Sequence, residues 1–314
     1  MGVNRLDPIS LALGTAGIVA VEHMIRRSTR KKAIEDYLNH YWIICRTRHG
    51  KTTYIRQRLI PEFKANYPNS SMVLFETKDE ETIKDYLNSL DKSQLEKTLV
   101  YSPSDMKRYD LWIGLNLLQK YGDSISENTL LTNELIACFE RAFGDSIKSN
   151  SKDIMRNGSL AVLEALPQAS LLEVYKMFND TLISKDKDKN RFRTNIVDSL
   201  TNPFLSNYFK TNFLFPSMAT MDIYNPIYNK FRSITSDPIA SNCLCQLDGI
   251  DLKSLINNGW NIVFFFPKGE LGPELSRILS SIAFSKVQMA IQSRSSMSRE
   301  SRLSRPVMII ADEF

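Results

Sequence analysis

Tyr41-Trp42-Ile43-Ile44-Cys45-Arg46-Thr47-Arg48-His49-Gly50-Lys51-Thr52-Thr53 is the stretch whose reading decides the fold. Its first four residues form an apolar run of strand length, and the spacing from Lys51 to Phe63 predicts a helix. Between them, Gly50, Lys51 and Thr52 match the end of the phosphate-loop pattern G-x-x-x-x-G-K-[ST]. Those residue types suit a phosphate. Gly50 lets the backbone approach it, Lys51 neutralises the β/γ charge, and Thr52 offers a hydroxyl to Mg²⁺. The first turn of the helix adds unpaired N–H groups and the positive end of its dipole. The predicted nucleotide-binding segment is therefore Cys45, Arg46, Thr47, Arg48, His49, Gly50, Lys51, Thr52 and Thr53. Cys45 stands where the pattern has its first glycine.

A second motif lies at the other end of the chain, in Ile309-Ile310-Ala311-Asp312-Glu313-Phe314. An apolar strand, Val307 to Ile310, that runs into two acids is what a magnesium site needs. Asp312 would hold the metal with Thr52, directly or through water, and Glu313 would polarise the attacking water. The expected catalytic set is Lys51, Asp312 and Glu313, and the expected cofactors are ATP and Mg²⁺. Taken singly, each motif reads equally as a helix start or a strand end; it is the pair that points to a nucleotide.

The segments between them agree. Ser71 to Phe75, Thr98 to Tyr101 and Asn261 to Phe266 read as strands, Glu80 to Leu90 as an amphipathic helix. Leu275, Ile278, Leu279, Ile282, Ala283 and Val287 make the apolar stripe of a long helix, with Pro273 in the preceding turn. Continuous apolar strands alternating with helices imply a parallel sheet covered on both faces. The predicted fold is α/β, a RecA-like P-loop parallel sheet. From about Thr129 to Phe215 the apolar spacing is helical: Leu130, Leu135, Ile136, Phe139 and Phe143 suit one helix, Leu160 to Leu166 a second stopped by Pro167, and Leu171 to Phe178 a third. An all-α domain inserted at residues 126–225 is expected, dividing the nucleotide-binding domain into residues 36–125 and 226–314. Ser293 to Arg305 reads as a mobile, positively charged loop.

Residues 1–35 stand apart. The apolar run Ile9 to Val21 is followed by Arg26, Arg27, Arg30, Lys31 and Lys32. It is shorter than the roughly 20 residues of a bilayer span, though a basic flank suits the cytoplasmic side. A membrane-associated segment and an interfacial helix both fit. A cleaved signal peptide does not, because the charge follows the apolar run. Net charge is +5, compatible with a polyanionic partner. Four scattered cysteines (Cys45, Cys138, Cys243, Cys245) exclude a disulfide framework and fit a reducing cytosol. Cys243-x-Cys245 lacks a second ligand pair at zinc spacing and reads as structural.

With these residues in place, the chain resembles the conjugative coupling ATPases of type IV secretion, in the HerA/FtsK superfamily of DNA-pumping motors. Asp312-Glu313-Phe314 is similar to that family's D-E-F form of the magnesium motif, and Glu76-Thr77-Lys78-Asp79 to its D-P-K-G segment. Tyr101-Ser102-Pro103-Ser104-Asp105 and Gly114-Leu115-Asn116-Leu117-Leu118 look like its D-P-S-D and N-P-L stretch. Ile250-Asp251-Leu252 and Lys268-Gly269-Glu270-Leu271-Gly272 resemble its I-D-L and K-G-E-L-G segments. The likeness covers roughly residues 40–314. It implies ATP-driven, sequence-independent translocation of DNA by a homo-oligomer, a hexameric ring, in the cytoplasm or at the inner face of the cell membrane beside secretion-channel proteins. It also implies a trans-acting arginine, for which Arg277 is a candidate, and a truncated copy whose later strands would follow Phe314.

The departures shape the alternative. Cys45 and Arg48 stand where two glycines of the family loop would be, Glu76 where it has aspartate, and Leu117 where it has proline. Such a member would come from a plasmid, virus or integrated element. A side chain at either loop position would crowd the phosphates or strain the backbone where glycine tolerates positive φ, unless Arg48 adds a phosphate contact instead, so a degenerate, non-hydrolysing P-loop protein acting as a binding or assembly module competes with the motor. An unrelated α/β enzyme with a chance Gly-Lys-Thr is the third reading. Lysines and arginines in 26–32, 185–193 and 294–305 are the candidate DNA contacts, and a solvated charged surface explains them as well.

Overall fold

The computed structural model describes residues 50–78, 80–121, 125–144, 147–178, 191–212 and 218–311. The strand expected at Tyr41 to Ile44, residues 1–35, Cys45 to His49 and Asp312 to Phe314 lie outside these.

The elements follow in order: α1 (Lys51–Tyr54), a π-helical turn (Ile55–Leu59), α2 (Ile60–Asn66), β1 (Ser71–Glu76), α3 (Glu80–Asn88), α4 (Lys92–Glu96), β2 (Thr98–Tyr101) and α5 (Pro103–Tyr109). Then come α6 (Ile125–Phe143), α7 (Ser149–Ala165), α8 (Leu171–Phe178), α9 (Arg191–Ser199), α10 (Pro203–Asn212), α11 (Met218–Ser236), α12 (Pro238–Leu244) and α13 (Leu252–Asn257). The last are β3 (Asn261–Phe265), α14 (Lys268–Leu271), α15 (Pro273–Gln292), a 3₁₀ turn (Ser293–Ser296), α16 (Arg299–Ser304) and β4 (Val307–Ala311). Of the described residues, 50–99, 255–263 and 294–311 form one compact unit and 100–254 with 264–293 another. The protein is α/β, and among the described residues four strands form one all-parallel sheet in the order β2-β3-β1-β4.

The sheet's order explains its sequence. β1 (SMVLFE) and β3 (NIVFF) are buried at every position, as strands covered on both faces should be. β4 pairs in parallel with β1, from Ser71 opposite Val307 to Phe75 opposite Ala311. Standing at the end of the four, β4 is less covered, and Ile309 is 40% exposed. The turn into β3 needs a glycine: Gly259 has φ 75°, and a Cβ there would meet the Asn69 carbonyl oxygen at 2.7 Å.

Helix starts follow their caps. Asp91 accepts from the N–H of Gln94 at 2.9 Å while Gln94 returns its side-chain oxygen to the N–H of Asp91, a capping box ahead of α4. The segment from Lys51 has a less regular course. Pro61 has no N–H to give to the carbonyl four residues back, and its ring crowds that carbonyl. The ladder widens just before it, where the N–H of Ile60 donates to Ile55, and the helix resumes as α2. In α2 Phe63 and Lys64 are buried, the Lys64 ammonium donating to the Ser70 carbonyl at 2.7 Å.

The segment expected to be a mobile loop is ordered differently. Ser293 to Ser296 form a 3₁₀ turn, and α16 begins where the Ser298 hydroxyl accepts from the N–H of Ser301. A serine cap followed by Glu300 in the first turn supplies the helix start that the run of serines and arginines conceals.

Between β2 and β3 the described residues hold helices alone. Their core is aromatic: Phe231 of α11 lies 4.7 Å, ring to ring, from Phe139 of α6 and 5.9 Å from Phe178 of α8. Tyr175 stacks on Tyr228 at 5.5 Å. In α15 Leu279, Ile282, Ala283 and Val287 are buried, the stripe read in the sequence. Among the described residues, no helix is long and apolar enough to cross a membrane.

Candidate functional site

The described part of the expected phosphate loop is its last residue and the helix it opens. Gly50 has φ 80°, a left-handed conformation that glycine adopts without steric cost. The chain enters α1 at Lys51, and the N–H of Tyr54 closes the first turn on the Gly50 carbonyl at 2.8 Å. Thr52 is half-buried and Thr53 exposed. The other loop residues expected at the site, Cys45, Arg46, Thr47, Arg48 and His49, and the acids Asp312 and Glu313 lie outside the described residues.

Because Phe75 pairs with Ala311, β1 and β4 finish side by side at the carboxyl edge of the sheet, the edge at which open α/β sheets take their ligands. At the last residue of β1 the buried Glu76 folds back, its Oε1 accepting from the N–H groups of Thr77 at 2.9 Å and Lys78 at 2.8 Å. A groove of about 500 Å³ runs along the helical segment from Gly50 past Thr53, Tyr54, Gln57 and Arg58 to Glu62. Arg58 donates to Glu62 at 3.1 Å inside it, and Arg56 pairs with Asp85. Gln57, Arg58 and Glu62 were not among the expected site residues. Their spacing of four, five and nine from Thr53 was the signal.

Two segments that carry the family likeness meet in the second unit. Gly114 to Leu118 lies against Leu247 to Leu252, with the N–H of Ile250 donating to Gly114 at 2.9 Å. Cβ atoms are excluded on both sides, since one on Gly114 would stand 2.2 Å from the Asp248 carbonyl oxygen and one on Gly249 2.9 Å from the Asn116 nitrogen. Asn116, fully buried, ties the junction together. Its Nδ2 donates to Ala169 and Leu247, each at 2.8 Å, and its Oδ1 accepts from Leu118 at 2.9 Å. A residue with both amide donors and its acceptor used within the fold is a structural junction. Ser102 of the other likeness segment caps α5.

The basic clusters are split by burial. Arg193 is 3% exposed and donates through Nε to the Met177 carbonyl at 2.9 Å, with burial pushing its guanidinium down to about 10. Arg294 is buried and donates to the Arg305 carbonyl. Neither side chain faces a phosphate in solution. Arg299, Arg302, Arg305 and Arg277 are exposed. Cys138, Cys243 and Cys245 have thiols pushed up to about 11 by burial, and among the described residues no cluster of His, Cys, Asp or Glu is built to hold a metal. Comparison with family models, with curated proteins and with solved structures gave no match to this chain.

Proposed function

We propose that this chain is an ATP-binding, RecA-like motor ATPase that translocates DNA, in conjugation or genome packaging. The observation that carries the reading is the turn at Gly50, whose left-handed backbone feeds a helix that begins at Lys51. An all-parallel sheet supports it, with β4 running toward Asp312-Glu313 beside the carboxyl end of β1. In this reading Lys51 neutralises the β/γ-phosphates, Thr52 and Asp312 hold Mg²⁺, and Glu313 polarises the attacking water. A magnesium ion held there would offset the charge that develops as the phosphoryl group transfers. DNA would be gripped through its phosphates by surface cations such as Arg299, Arg302 and Arg305, without regard to base sequence.

The test uses the full chain, with a fluorescent ATP analogue and a phosphate-release assay, with and without duplex and single-stranded DNA. Binding that is lost in Lys51→Ala, with turnover raised by DNA and suppressed by salt, is the expected result. Folded protein whose nucleotide affinity is the same in Lys51→Ala would remove the proposal.

Cys45 and Arg48 favour a second reading, a P-loop protein that holds nucleotide without turning it over and serves in assembly. Binding without phosphate release, with turnover gained in the Cys45→Gly, Arg48→Gly double variant, would select it.

A further inference from the structure

We propose that the cavity between α6, α13 and α15 is a binding site for a small apolar carboxylate, anchored by Lys286. It lies within the second unit and does not rest on the nucleotide reading.

The cavity has a volume of about 120 Å³, and Leu117, Leu131, Leu252, Met289 and Ala290 supply its apolar walls. Lys286 also lines it, one turn before Ala290 on α15, and is 7% exposed. Its Nζ donates to the Asn116 carbonyl and, at 3.4 Å, to Gln119 Oε1. Both acceptors are neutral. Burial pushes the ammonium down to about 8, which leaves it charged at neutral pH, and Asp251 is the acid whose field counters that burial. Asp251 is already engaged, accepting from the Ser254 N–H at 2.9 Å and the Tyr121 hydroxyl. Among the described residues no carboxylate comes within ion-pair distance of Nζ.

A desolvated ammonium held by two dipoles has one N–H to spare and an uncompensated charge, which a bound anion relieves. The walls then set the rest of the ligand. A dry apolar cavity of about 150 Å³ holds the six carbons of a benzene ring, so one of about 120 Å³ takes an apolar body of about five carbons, with the carboxylate at Lys286. The charge is limited to one. Lys253 and Glu127 also line the cavity, the Lys253 ammonium 6.0 Å from the centroid of the Tyr121 ring and Glu127 Oε1 accepting from the N–H of Tyr121 at 2.8 Å; their opposite charges offset each other, which leaves the single charge of Lys286 for the ligand to match. A monocarboxylate on a short aliphatic body satisfies all of these.

The experiment titrates the full chain with sodium hexanoate, hexan-1-ol and hexylamine, following amide shifts and thermal midpoint. Hexanoate is expected to bind and raise the midpoint, with hexanol at least tenfold weaker and hexylamine without effect. Lys286→Met keeps the length and apolar contacts of the side chain and should abolish the preference for hexanoate over hexanol. Ala290→Leu keeps the ammonium but fills the cavity, and should abolish binding of both. Absence of hexanoate binding, equal binding of hexanol, or hexanoate affinity retained in Lys286→Met would each overturn the proposal.

Discussion

At Gly158 the backbone of α7 lies directly against the end of the Phe178 ring, where a Cβ would come within 2.1 Å of Cζ. Phe178 is fully buried among Tyr224 and Phe231 and has no room to yield. Gly158→Ala should therefore cost about 1–3 kcal/mol as overpacking, despite alanine's better helix propensity, and urea unfolding measures it. Placing the same change in a Phe178→Leu background should recover most of the loss. Nothing in the sequence marks this glycine, because the ring that needs its space is twenty residues away. The turn at Gly50 was legible, since the glycine stands directly before the helix expected from Lys51. Lys286 was half-legible. It follows Leu279, Ile282 and Ala283 at helical spacing, so it sits in the apolar stripe, but only the folded chain shows what its ammonium meets.

Single elements answer to their ends. Ser170 and Glu173 close the start of α8: the Ser170 hydroxyl accepts from the Leu172 N–H at 3.2 Å, and Glu173 Oε2 accepts from the Ser170 N–H at 3.0 Å. Burial pushes the Glu173 carboxyl up, but the Ser170 hydroxyl, the Ser170 N–H and Lys176 together outweigh it and hold the group below its ordinary value. A depressed carboxylate contributes stability above its unfolded value, here 4.5, and loses it as pH falls through the folded one. Glu173→Ala should cost about 1 kcal/mol at pH 7, and the gap from wild type should narrow as pH falls below 4.5, as urea midpoints along a falling pH series will show. Strands were the most legible elements, because Met72–Phe75, Ile262–Phe266 and Val307–Ile310 are unbroken apolar runs. The π turn was not read, although Pro61 lay inside the expected helix. α16 was hidden because its helix start rests on one serine and it has no apolar stripe.

For the molecule as a whole, the sheet order ranks its strands. β3 and β1 occupy the middle of the four and are buried throughout, whereas β2 and β4 stand at the ends and are partly covered. Opening a region exposes its amides at a free energy set by its buried contacts. Native-state hydrogen exchange should find Met72–Phe75 and Ile262–Phe264 the slowest amides in the sheet, with Thr98–Val100 and Met308–Ile309 faster. Faster exchange in β1 than in β4 would contradict the order. The overall class was legible from both ends of the chain, where strands and helices alternate. The candidate site was legible as a motif. Its surroundings, the folded-back Glu76 and the groove beside Gln57, depend on the pairing of β1 with β4 and on the widened turn, which no local pattern encodes.

The turn at Ile55–Leu59 has a consequence for how this segment tolerates change in length. A π turn holds one residue more than the α turn it replaces, so loss of the exposed Gln57 would wind the segment back to an even pitch while Tyr54, Ile60 and Phe63 kept their bearing toward the interior. Pro61 forbids that on its own, since an even ladder sets its ring against a carbonyl at a cost of about 3 kcal/mol. The surplus residue and the proline are therefore a matched pair, like a shim and the peg it was cut for. Removing Gln57 alone should lower the melting temperature, and removing it together with Pro61→Ala should restore it.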